Sequence, residues 1–340
     1  MNNPAAHFQQ LRKSIRDELA AICDFDAACI TTIDPATLLS TGSFTDEPIE
    51  AIHNELFQNE YLKKDVHQHE DLAKGPVHAA SLVQSGEYIN SGRYQHILLP
   101  NGWADELRAA LVIQGECWGI ASLYRKKEKE PFHEQDIQAV SRQTPALAAK
   151  LRDELFKRRE TEEDETEEDE TAEHQGFLIL SHDYHLLYGN ETGLHWLHTF
   201  QTFEQIHDGA IMPRPFRALG AKLLYGGGDQ TAVSITRMPT GRFLSLQAFR
   251  LAQAAGQEEA VMIHIKRAQT SDILPYIAKT YRLTEREMNV LDCLIKGQST
   301  KEIASTLFIS PHTVHDHVKA MLEKTNLNSR RMLVYFFSHI

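Results

Sequence analysis

The fold of the C-terminal region is decided by the stretch STKEIASTLFISPHTV, residues 299–314. Ser299 and Ser310 each stand just before a run with helical apolar spacing, and serine is a preferred N-cap because its hydroxyl accepts a hydrogen bond from the first turn. Pro311 follows the second cap at the first helical position, where its missing N–H does no harm. The stretch therefore predicts a short helix, a turn at Phe308-Ile309 and a new helix that begins at Pro311.

The new helix is predicted to have a buried face and an exposed face. Its apolar residues share one side, as in a helix that packs on its neighbours: Val314, Val318, Met321 and Leu322. Polar residues lie on or near the other side: His312, Thr313, His315, Asp316, Lys319 and Glu323. A helix fits the major groove of B-form DNA, and side chains near its N-terminal end reach the base edges. The exposed face is therefore predicted to read DNA.

A longer segment keeps the residue spacing of a known domain. The residues that carry this spacing are Leu283-Thr284-Glu285-Arg286-Glu287, Val290-Leu291, Gly297-Gln298-Ser299, Lys301-Glu302-Ile303-Ala304, Leu307, Ile309-Ser310, Thr313-Val314, His317, Lys324 and Ser329-Arg330. They resemble the C-terminal DNA-binding domain of LuxR-type transcriptional regulators. The resemblance implies an all-α four-helix domain over residues 275–340, in which the third helix, Pro311 to Lys324, reads DNA and the fourth, Arg330 to about Ser338, supports dimer contact. The chain departs from the family at Thr300, where asparagine is usual, and at His315-Asp316, where a lysine and a variable residue are usual.

Within this domain, the polar residues divide into two groups by their chemistry. Those expected to position DNA phosphates are Thr300, Lys301, Ser310, Thr313, His317 and Lys324. The candidates for base readout are His312, His315, Asp316 and Lys319. Lysine suits a guanine edge, and aspartate suits the amino group of cytosine. An alternative for Asp316 is that its charge mainly rejects unsuitable sequences.

The charge of the chain is unevenly distributed. The whole sequence of 340 residues has a formal net charge of −12, which is unfavourable for a protein that binds DNA. Ten carboxylates, however, lie between residues 160 and 173. From Pro275 to the end, nine Lys or Arg residues face six Asp or Glu, which gives a local net charge of +3. The C-terminal domain is therefore positive by itself, and it is this local charge that attracts phosphates.

Dimerisation is predicted from two features of the sequence. The last helix carries apolar residues that form a candidate dimer contact: Leu333, Val334, Phe336 and Phe337. A long helix, His133 to Arg159, is predicted from apolar residues at three- and four-residue spacing, with Pro145 kinking or splitting it. As an alternative to dimer contact, Phe336-Phe337 packs within its own domain.

Residues 1–158 are predicted to form an α+β domain. The other elements that apolar periodicity predicts in it are the helices Asn3–Ile22 and Ile49–Gln58, the strands Ala27–Ile33 and Leu38–Ser43, and a hairpin of Leu107–Gln114 with Cys117–Arg125. Four motifs resemble the GAF-like domain found ahead of certain LuxR-type regulators: Ile33-Asp34-Pro35-Ala36-Thr37-Leu38-Leu39, Asp105-Glu106-Leu107-Arg108, Cys117-Trp118-Gly119 and Leu123-Tyr124-Arg125. The resemblance implies a domain that holds a small molecule or mediates dimer contact. Three aromatic residues either line a pocket or simply form core: Trp103, Trp118 and Tyr88.

Residues 159–174 are the main break in composition. Thr161 to Glu170 is a doubled Thr-Glu-Glu-Asp-Glu unit. Like charges at this density repel one another and bury nothing, so the segment is predicted to be a solvated acidic linker or a frayed extension of the preceding helix. A sharper alternative is that the acidic run competes with DNA for the basic C-terminal domain in an autoinhibited state.

Residues 175–270 are predicted to form a second α+β domain. Its expected elements, in order, are a hairpin of Gly176–Ser181 with His185–Tyr188, the helices Asn190–Leu197 and Pro213–Leu224, a connection at Gly226–Gly228, and the strands Ala232–Arg237, Arg242–Leu251 and Ala260–Lys266. Two strands, several helices and three strands follow one another in the order of a PAS-like domain. This is an analogy of fold and carries no chemistry by itself.

Several classes of function find no support in the sequence. Eighteen histidines invite a metal hypothesis, but no carboxylate or cysteine lies at a spacing that completes a set of ligands, so no metal or cofactor is predicted. A P-loop, a Gly-x-Ser-x-Gly elbow and a His-Glu-x-x-His run are all missing, and an enzyme is not expected. The four cysteines show no metal or redox spacing, and no apolar run approaches the roughly 20 residues needed to cross a bilayer. We expect a cytoplasmic protein without a membrane partner.

The sequence therefore predicts a sequence-specific DNA-binding transcriptional regulator, controlled by N-terminal domains that sense a signal or dimerise. Its expected partners are double-stranded DNA and a second copy of the chain, with RNA polymerase and an unidentified small-molecule effector as further candidates. The alternative is a small-molecule-binding signalling protein whose C-terminal helical domain docks a protein partner. Counterion release separates the two, because only binding to phosphates weakens steeply with salt.

Overall fold

The computed structural model describes residues 4–62, 65–156, 175–206, 208–225, 230–238, 243–252, 259–325 and 327–338. The chain divides into two compact units: the first runs to Arg267, and the second begins at Ala268 and also includes Phe243. Predictions for the acidic run Thr161–Glu170 and for the connection Gly226–Gly228 lie outside the described residues. Both regions with predicted α+β folds belong to the first unit.

The first region, residues 4–156, is built on one antiparallel sheet. Its elements are α1 (Pro4–Ala20), β1 (Ala27–Ile33), β2 (Ser40–Thr45), α2 (Glu47–Glu50), α3 (His53–Leu62), α4 (His69–Lys74), β3 (Ala79–Ser81), β4 (Trp103–Ile113), β5 (Glu116–Lys126) and α5 (Glu134–Phe156). The strand order is β2-β1-β5-β4-β3, and every neighbouring pair is antiparallel. Helix α1 lies against β1, and α5 lies against β4 and β5. Neither α4 nor β3 is predicted from the sequence pattern.

The hairpin of β4 and β5 turns at Gln114-Gly115, where both residues have positive φ angles of 59° and 85°. Two consecutive positive φ values are typical of tight hairpin turns, which favour glycine because it has no Cβ to clash. The hairpin confirms the predicted pair Leu107–Gln114 and Cys117–Arg125, and it begins four residues earlier, at Trp103.

Helix α5 runs without a break from Glu134 to Phe156 and contains Pro145. Pro145 was predicted to kink or split this helix; the splitting is wrong, and the kink stays a prediction. Three buried residues, Val140, Leu147 and Leu151, anchor the helix. Each contributes roughly 1.5–3 kcal/mol through burial, and together they offset the hydrogen bond that a proline inside a helix cannot make.

The second region, residues 175–267, is built on another antiparallel sheet. Its elements are β6 (Gly176–Ser181), β7 (Leu186–Gly189), α6 (Glu191–Phe203), α7 (Arg214–Tyr225), β8 (Thr231–Arg237), β9 (Phe243–Arg250) and β10 (Ala260–Arg267). The strand order is β7-β6-β10-β9-β8. Counted from its own first strand, each of the two sheets has the order 2-1-5-4-3. The predicted strands and helices of this region are confirmed, although α6 ends six residues later than expected, at Phe203.

Asn190 fixes the start of α6. Its Oδ1 accepts hydrogen bonds from the backbone N–H of Gly193 at 2.9 Å and of Phe177 at 2.8 Å. A Cβ at position 193 would lie 2.3 Å from the carbonyl oxygen of Phe177, so glycine is required where the helix approaches β6. The predicted boundary at Asn190 is therefore an N-cap that also holds the helix to the sheet.

The first region buries a chain of charged side chains. Glu106 on β4 accepts hydrogen bonds from Arg93 at 2.7 Å and from Arg108 at 2.8 Å, and Arg108 also donates to Glu60 at 2.6 Å. All four side chains are buried. Each charge has an opposite partner, which meets the condition for burying ions. The Asp105–Arg108 motif, quoted above for its resemblance, thus belongs to an internal ion network.

One arginine joins the two regions of the first unit. Arg214, at the start of α7, is only 3% exposed. Its Nε donates to Nε2 of His53 at 3.2 Å, and its Nη2 donates to Oγ1 of Thr45 at 3.0 Å. The guanidinium also pairs with Glu50, and its Nη1 lies 3.6 Å from Oε2 of Glu204. The second region thereby inserts a cation into a polar site formed mainly by the first.

A carboxylate of the first region makes the reciprocal link. Asp34 is buried, and it accepts hydrogen bonds from the backbone N–H of Ala36 at 2.8 Å and of Ile235 on β8 at 3.0 Å. Burial raises the pKa of Asp34, although these hydrogen bonds act in the opposite direction. Both regions therefore depend on buried polar groups of the other.

The described residues of the second unit form five helices: α8 (Thr270–Tyr281), α9 (Glu285–Ile295), α10 (Thr300–Leu307), α11 (Pro311–Thr325) and α12 (Arg330–Ser338). Helices α9 to α12 are the four predicted ones, and α11 extends one residue beyond its predicted end. Helix α8 is not predicted from the sequence, and it crosses the boundary placed between residues 270 and 275. No helix among the described residues is both long enough and apolar enough to cross a membrane.

Replacement of Arg214 by methionine is expected to destabilise the first unit by about 3–5 kcal/mol, because it breaks the buried ion pair with Glu204 and removes the hydrogen bonds to His53 and Thr45. The measurement is urea unfolding followed by tryptophan fluorescence, since all three tryptophans precede residue 267. Arg142→Met changes an exposed arginine of α5 and is the matched control. A loss for Arg214→Met no larger than that of the control would show that the link contributes nothing to stability.

Candidate nucleic-acid interface

Capping boxes fix the starts of two helices in the second unit. Oγ of Ser299 accepts from the N–H of Glu302 at 3.3 Å, and Oε2 of Glu302 accepts from the N–H of Ser299 at 2.7 Å. Thr284 and Glu287 make the same reciprocal pair at the start of α9. Such boxes satisfy N–H groups that have no partner within the helix. The sequence therefore determines where α9 and α10 begin.

The turn between α10 and α11 contains a non-glycine residue in the left-handed conformation. Phe308 has a φ of 55°, and its side chain is 94% exposed. The chain continues with Ile309, whose N–H donates to the carbonyl of Ala304 at 3.0 Å. The predicted turn at Phe308-Ile309 is confirmed.

Ser310 caps the start of α11. Its Oγ accepts from the N–H of Thr313 at 3.0 Å and lies 2.9 Å from Oγ1 of Thr313. Only one of the two hydroxyls donates within this pair, so the other keeps its hydrogen for an outside acceptor. The pair lies at a helix N-terminus, where the helix dipole favours anions. This geometry is suited to a phosphate oxygen, and the contacts predicted for Ser310 and Thr313 stay predictions.

The four base-readout candidates form one exposed stripe along α11. His312 lies three and four residues before His315 and Asp316, which lie four and three residues before Lys319, so the four share one side of the helix, and all are exposed. Nδ1 of His312 lies 3.8 Å from Oδ1 of Asp316, and Nζ of Lys319 lies 4.0 Å from Oε1 of Glu323. Surface pairs of this kind contribute about 0–1 kcal/mol, so little is lost when they are exchanged for contacts with a ligand.

The opposite side of α11 contacts its own domain. Val314, Val318 and Met321 are buried, and Leu322 is half-buried. The predicted buried face is therefore confirmed for three of its four residues and partly for the fourth. Burial of side chains of this size contributes roughly 1.5–3 kcal/mol each. It also fixes the rotation of α11, which is why the exposed stripe points away from the domain.

Lys324 is held within the domain. Its Nζ donates to both carboxylate oxygens of Glu287, at 2.9 and 2.7 Å, and to the carbonyl of Arg282 at 2.8 Å. Burial raises the pKa of Glu287, but hydrogen bonds from Lys324 and Thr284 outweigh it, so the pKa lies below its usual value. The ammonium has three donors, and all three are used. A phosphate contact by Lys324 would have to replace one of these bonds.

Arg330 connects α12 to the start of α10. Its Nη1 donates to Oγ1 of Thr300 at 2.9 Å, and its Nη2 donates to the carbonyl of Gln298 at 2.6 Å. The hydroxyl of Thr300 is thus an acceptor inside the domain and keeps its own hydrogen for a phosphate. The contact by which Arg330 orients Thr300 is not predicted from the sequence, in which Arg330 stands only among the residues that resemble the family.

The other two phosphate candidates differ in exposure. Lys301 is exposed, and His317 is half-buried. Lys301 also borders a shallow depression of the surface, which it lines together with Gln298, Glu302, Ser305 and Thr306. Lys301 therefore places an exposed positive charge on this side of α10, and its phosphate contact stays a prediction.

Known proteins match the region that contains these helices. Residues 281–337 match the family of bacterial regulatory proteins called the luxR family. The spore germination protein GerE of Bacillus subtilis is 42% identical over 52 residues, which is 15% of this chain and 70% of GerE. The chain belongs to the luxR family of bacterial regulatory proteins.

Similarity of this luxR-family chain to longer relatives covers only a part of them. The uncharacterized transcriptional regulatory protein YhcZ of Bacillus subtilis is 39% identical over 77 residues, which is 23% of this chain and 36% of YhcZ. A solved structure of the Vibrio cholerae VqmA dimer without its target DNA is 18% identical, with a TM-score of 0.22 over 50% of this chain and 86% of that one. A TM-score of this size carries no argument about the N-terminal regions.

The four predicted dimerisation residues lie at different depths in the luxR-family domain. Leu333 and Phe337 are fully buried, and Val334 and Phe336 are half-buried. The rings of Phe336 and Phe337 each lie 5.9 Å from the ring of Tyr281, edge to face. Leu333 and Phe337 therefore serve as core of the domain, as in the alternative stated above for the phenylalanines. They offer no surface to a second chain.

Other residues of α12 are accessible to a partner. Met332 is 44% exposed and Tyr335 is 41% exposed. Their spacing of three residues places them on one face of the helix. The sequence did not predict a dimer contact at Met332 and Tyr335, because Phe336 and Phe337 at the end of the helix are more strongly apolar.

Two of the three aromatic candidates of the first unit, Trp103 and Tyr88, pack in or against one core cluster, and the third, Trp118, lies apart from it. Trp103 is buried in a core cluster, and Tyr88 packs edge to face against Tyr94 with ring centroids 5.3 Å apart. Trp118 is also buried, and it lines a cavity. Throughout the described ranges, no group of three His, Cys, Asp or Glu side chains is placed to hold a metal ion.

Replacement of Lys324 by methionine is expected to destabilise the second unit by about 1–3 kcal/mol, because the buried Glu287 carboxylate loses its cation. Hydrogen–deuterium exchange of the intact chain, resolved over peptides from α9 and α11, measures this loss locally. Lys319→Met removes an exposed lysine of the same helix and serves as the control. Its exchange should match that of the unmodified protein.

The loss of stability caused by Lys324→Met, relative to the unmodified protein, should also depend on pH. The pKa of Glu287 is lower in the folded state, so its stabilising effect is fully present above the unfolded value of about 4.3 and is lost as the pH falls through the folded value. The effect of Lys324→Met should therefore shrink below about pH 4. An effect that stays constant down to pH 3 would mean that Glu287 and Lys324 do not form a functional ion pair.

Proposed function

We propose that this luxR-family protein is a sequence-specific DNA-binding transcriptional regulator whose two N-terminal regions control its C-terminal helix-turn-helix domain. The observation that carries the proposal is the exposed stripe on α11. Its opposite face is anchored in the domain, so the stripe is presented as a rigid surface. A helix of this width fits the major groove, and the stripe combines donors and acceptors for base edges.

Base recognition is proposed to depend mainly on two charged residues of the stripe. Lys319 donates to O6 or N7 of a guanine, and Asp316 accepts from the amino group of a cytosine. Each contact of this kind contributes roughly 1–3 kcal/mol of discrimination. His312 and His315 are proposed to donate to or accept from base edges through their ring nitrogens.

Phosphate contacts are proposed to surround the start of α11. Ser310 and Thr313 offer one unused hydroxyl hydrogen, Thr300 offers another, and Lys301 supplies an exposed cation. His317 adds a half-buried imidazole on the same helix. These contacts position the domain on the duplex and carry no sequence information by themselves. Lys324 takes part only if a phosphate replaces one of its internal acceptors.

The first unit is proposed to receive a signal. We interpret its first region, within residues 1–158, as GAF-like and its second region, within residues 175–270, as PAS-like. The two regions share one strand order in their sheets. Their common buried contacts through Arg214 and Asp34 give a route by which a change in one region alters the other. The proposed signal is a small-molecule effector bound in a pocket of this unit.

The regulator is proposed to act as a homodimer in the cytoplasm, where its DNA is located. Two copies would bind two half-sites, which is the usual arrangement of dimeric helix-turn-helix proteins. RNA polymerase is a further candidate partner, because a bound regulator next to a promoter contacts it directly when it activates transcription.

A second function has one observation in its favour. The side chain of Phe308 is 94% exposed, and an apolar residue so placed suits contact with another protein. In that case the C-terminal domain would dock a protein partner and the chain would act as a small-molecule-binding signalling protein. The salt dependence of DNA binding decides between the two, since several neutralised phosphates predict a steep fall in affinity with salt and docking predicts a flat response.

Replacement of Lys319 by alanine is expected to relax sequence preference at one base position by about 1–3 kcal/mol. Binding of randomised duplexes, followed by sequencing of the bound fraction, measures the preference at every position. Lys301→Ala is the matched control, because removal of a phosphate contact weakens binding to all sequences alike. If Lys319→Ala keeps the full preference of the unmodified protein, Lys319 does not read bases.

Simultaneous replacement of Met332 and Tyr335 by lysine is expected to convert a dimer into a monomer, because like charges would face each other across the proposed contact. Sedimentation velocity at micromolar concentration, with and without DNA, measures the change. The control is Arg331→Lys, which keeps the charge of an exposed position on α12. A dimer that persists in the doubly replaced protein would place the contact elsewhere.

A further inference from the structure

A cavity lies between the two regions of the first unit. It is bounded by α1, β1, β2, β5 and α5 of the first region and by α6 and β8 of the second. The cavity leaves about 50 Å³ for the centres of water-sized molecules. This is room for roughly four waters, at about 10–15 Å³ each, or for one compact organic molecule. The apolar part of the lining includes Phe8, Leu151, Leu155, Phe200, Phe203 and Met238.

Arg12 of α1 lines this cavity and is only 7% exposed. Its Nη2 donates to Oγ1 of Thr32 at 2.8 Å, whereas its Nε is buried without a hydrogen-bond partner. No carboxylate among the described residues forms an ion pair with it. Burial lowers the pKa of Arg12 to about 10, although the charge of Glu204 acts in the opposite direction. Arg12 thus lacks the close anion that a buried cation requires.

The backbone of β2 is shaped to admit this guanidinium. A Cβ at Gly42 would lie 2.4 Å from Nη2 of Arg12 and 3.0 Å from its Cζ. Gly42 has a φ of 146°, which residues with a side chain rarely adopt. Glycine therefore lets Arg12 stay beside the strand, inside the cavity, instead of turning to solvent.

The neighbouring charges do not compensate Arg12. Oε2 of Glu204 accepts from the backbone N–H of Arg214 at 3.0 Å and lies 3.6 Å from its Nη1. Glu50 pairs with the same guanidinium. Arg217 is buried close to these groups, and its Nε and Nη2 have no partner. Among Arg12, Arg214, Arg217, Glu50 and Glu204, three guanidinium groups thus accompany two carboxylates, which leaves one positive charge in excess within this group.

The cavity also contains an unsatisfied acceptor. Oε1 of Glu204 is buried, has no hydrogen-bond partner, and belongs to a residue of the lining. A buried carboxylate oxygen without a donor is costly, because the water that it loses on burial is not replaced. The cavity therefore offers a cationic donor at Arg12, an acceptor at Glu204 and apolar walls.

We propose that this cavity binds a compact monocarboxylate that also carries a hydroxyl group. The carboxylate pairs with Arg12 and balances the excess charge, the hydroxyl donates to Oε1 of Glu204, and the short carbon chain contacts the apolar walls. Because the walls come from both regions, the bound molecule holds the two regions together. This site does not depend on the proposed DNA-binding function.

The test uses the full-length protein and three small probes: sodium lactate, sodium propanoate and propanamide, with sodium chloride at matched ionic strength. Thermal unfolding is followed by tryptophan fluorescence, and dissociation constants are measured by calorimetry. Both carboxylates should raise the unfolding temperature more than chloride does. Lactate should bind more tightly than propanoate, which lacks the hydroxyl, and uncharged propanamide should have no effect.

Variants of the cavity make the assignment specific. Arg12→Met should weaken lactate binding by about tenfold or more, because a charge-assisted contact is lost. In the absence of carboxylates, the unfolding temperature of Arg12→Met should equal or exceed that of the unmodified protein, since an uncompensated buried charge is gone. Gly42→Ala should also weaken binding, because the new Cβ displaces the guanidinium. Arg142→Met, an exposed arginine, should bind lactate normally.

Several results would overturn the proposal. These are a response to lactate no greater than the response to chloride, equal lactate binding by Arg12→Met, and equal binding of propanamide and propanoate. If Arg12→Met does not fold, then Arg12 is structural and the proposal fails on that ground. No DNA is present in these measurements, so a negative result leaves the proposed DNA-binding function untouched.

Discussion

The buried guanidinium of Arg214 is the contact on which the arrangement of the first unit depends. It comes from a helix of the second region and finds its partners chiefly in the first, at His53, Thr45 and Glu50. A buried cation is tolerated only while these partners stay in place, so the polar site fixes the distance between the two sheets. Asp34 adds a contact in the reverse direction through the backbone of β8. The cavity at Arg12 exists because the two regions are held at this separation.

In the luxR-family domain, polar contacts fix the helices and leave one surface unused. Glu287 serves twice, as the third residue of a capping box on α9 and as the partner of Lys324 on α11. Arg330 connects α12 with the start of α10. Apolar burial of Val314 and Met321 then sets the rotation of α11. The base-readout candidates therefore make no buried contact within the domain: they are exposed and form only weak surface pairs.

Local patterns made much of this architecture predictable. Serine caps, Pro311 and the apolar spacing of α11 depend on residues close in sequence, so the helix-turn-helix and its exposed stripe follow directly. The buried ion network at Glu106 was not predictable, because a charged residue on a strand gives no sign that a cation from a distant segment will cover it. Leu333 and Phe337 were predicted to form a dimer surface, although they are core, because the sequence does not show which distant residues cover a side chain. The apolar character of a side chain indicates that it is buried, but it does not indicate whether its own domain or a second chain covers it.

The strand order that the two sheets share has a consequence for how the chain acquires its structure. In each sheet the first strand pairs with the last, β1 with β5 and β6 with β10, and both lie inside the sheet. Neither sheet can close until its final strand has been synthesised, which makes the contacts distant in sequence and their formation slow. The first sheet is complete at Lys126, well before β6 leaves the ribosome. Synthesis from the N-terminus thus separates the formation of the two sheets in time. Because the two sheets have the same strand order, simultaneous folding would favour the exchange of strands between them.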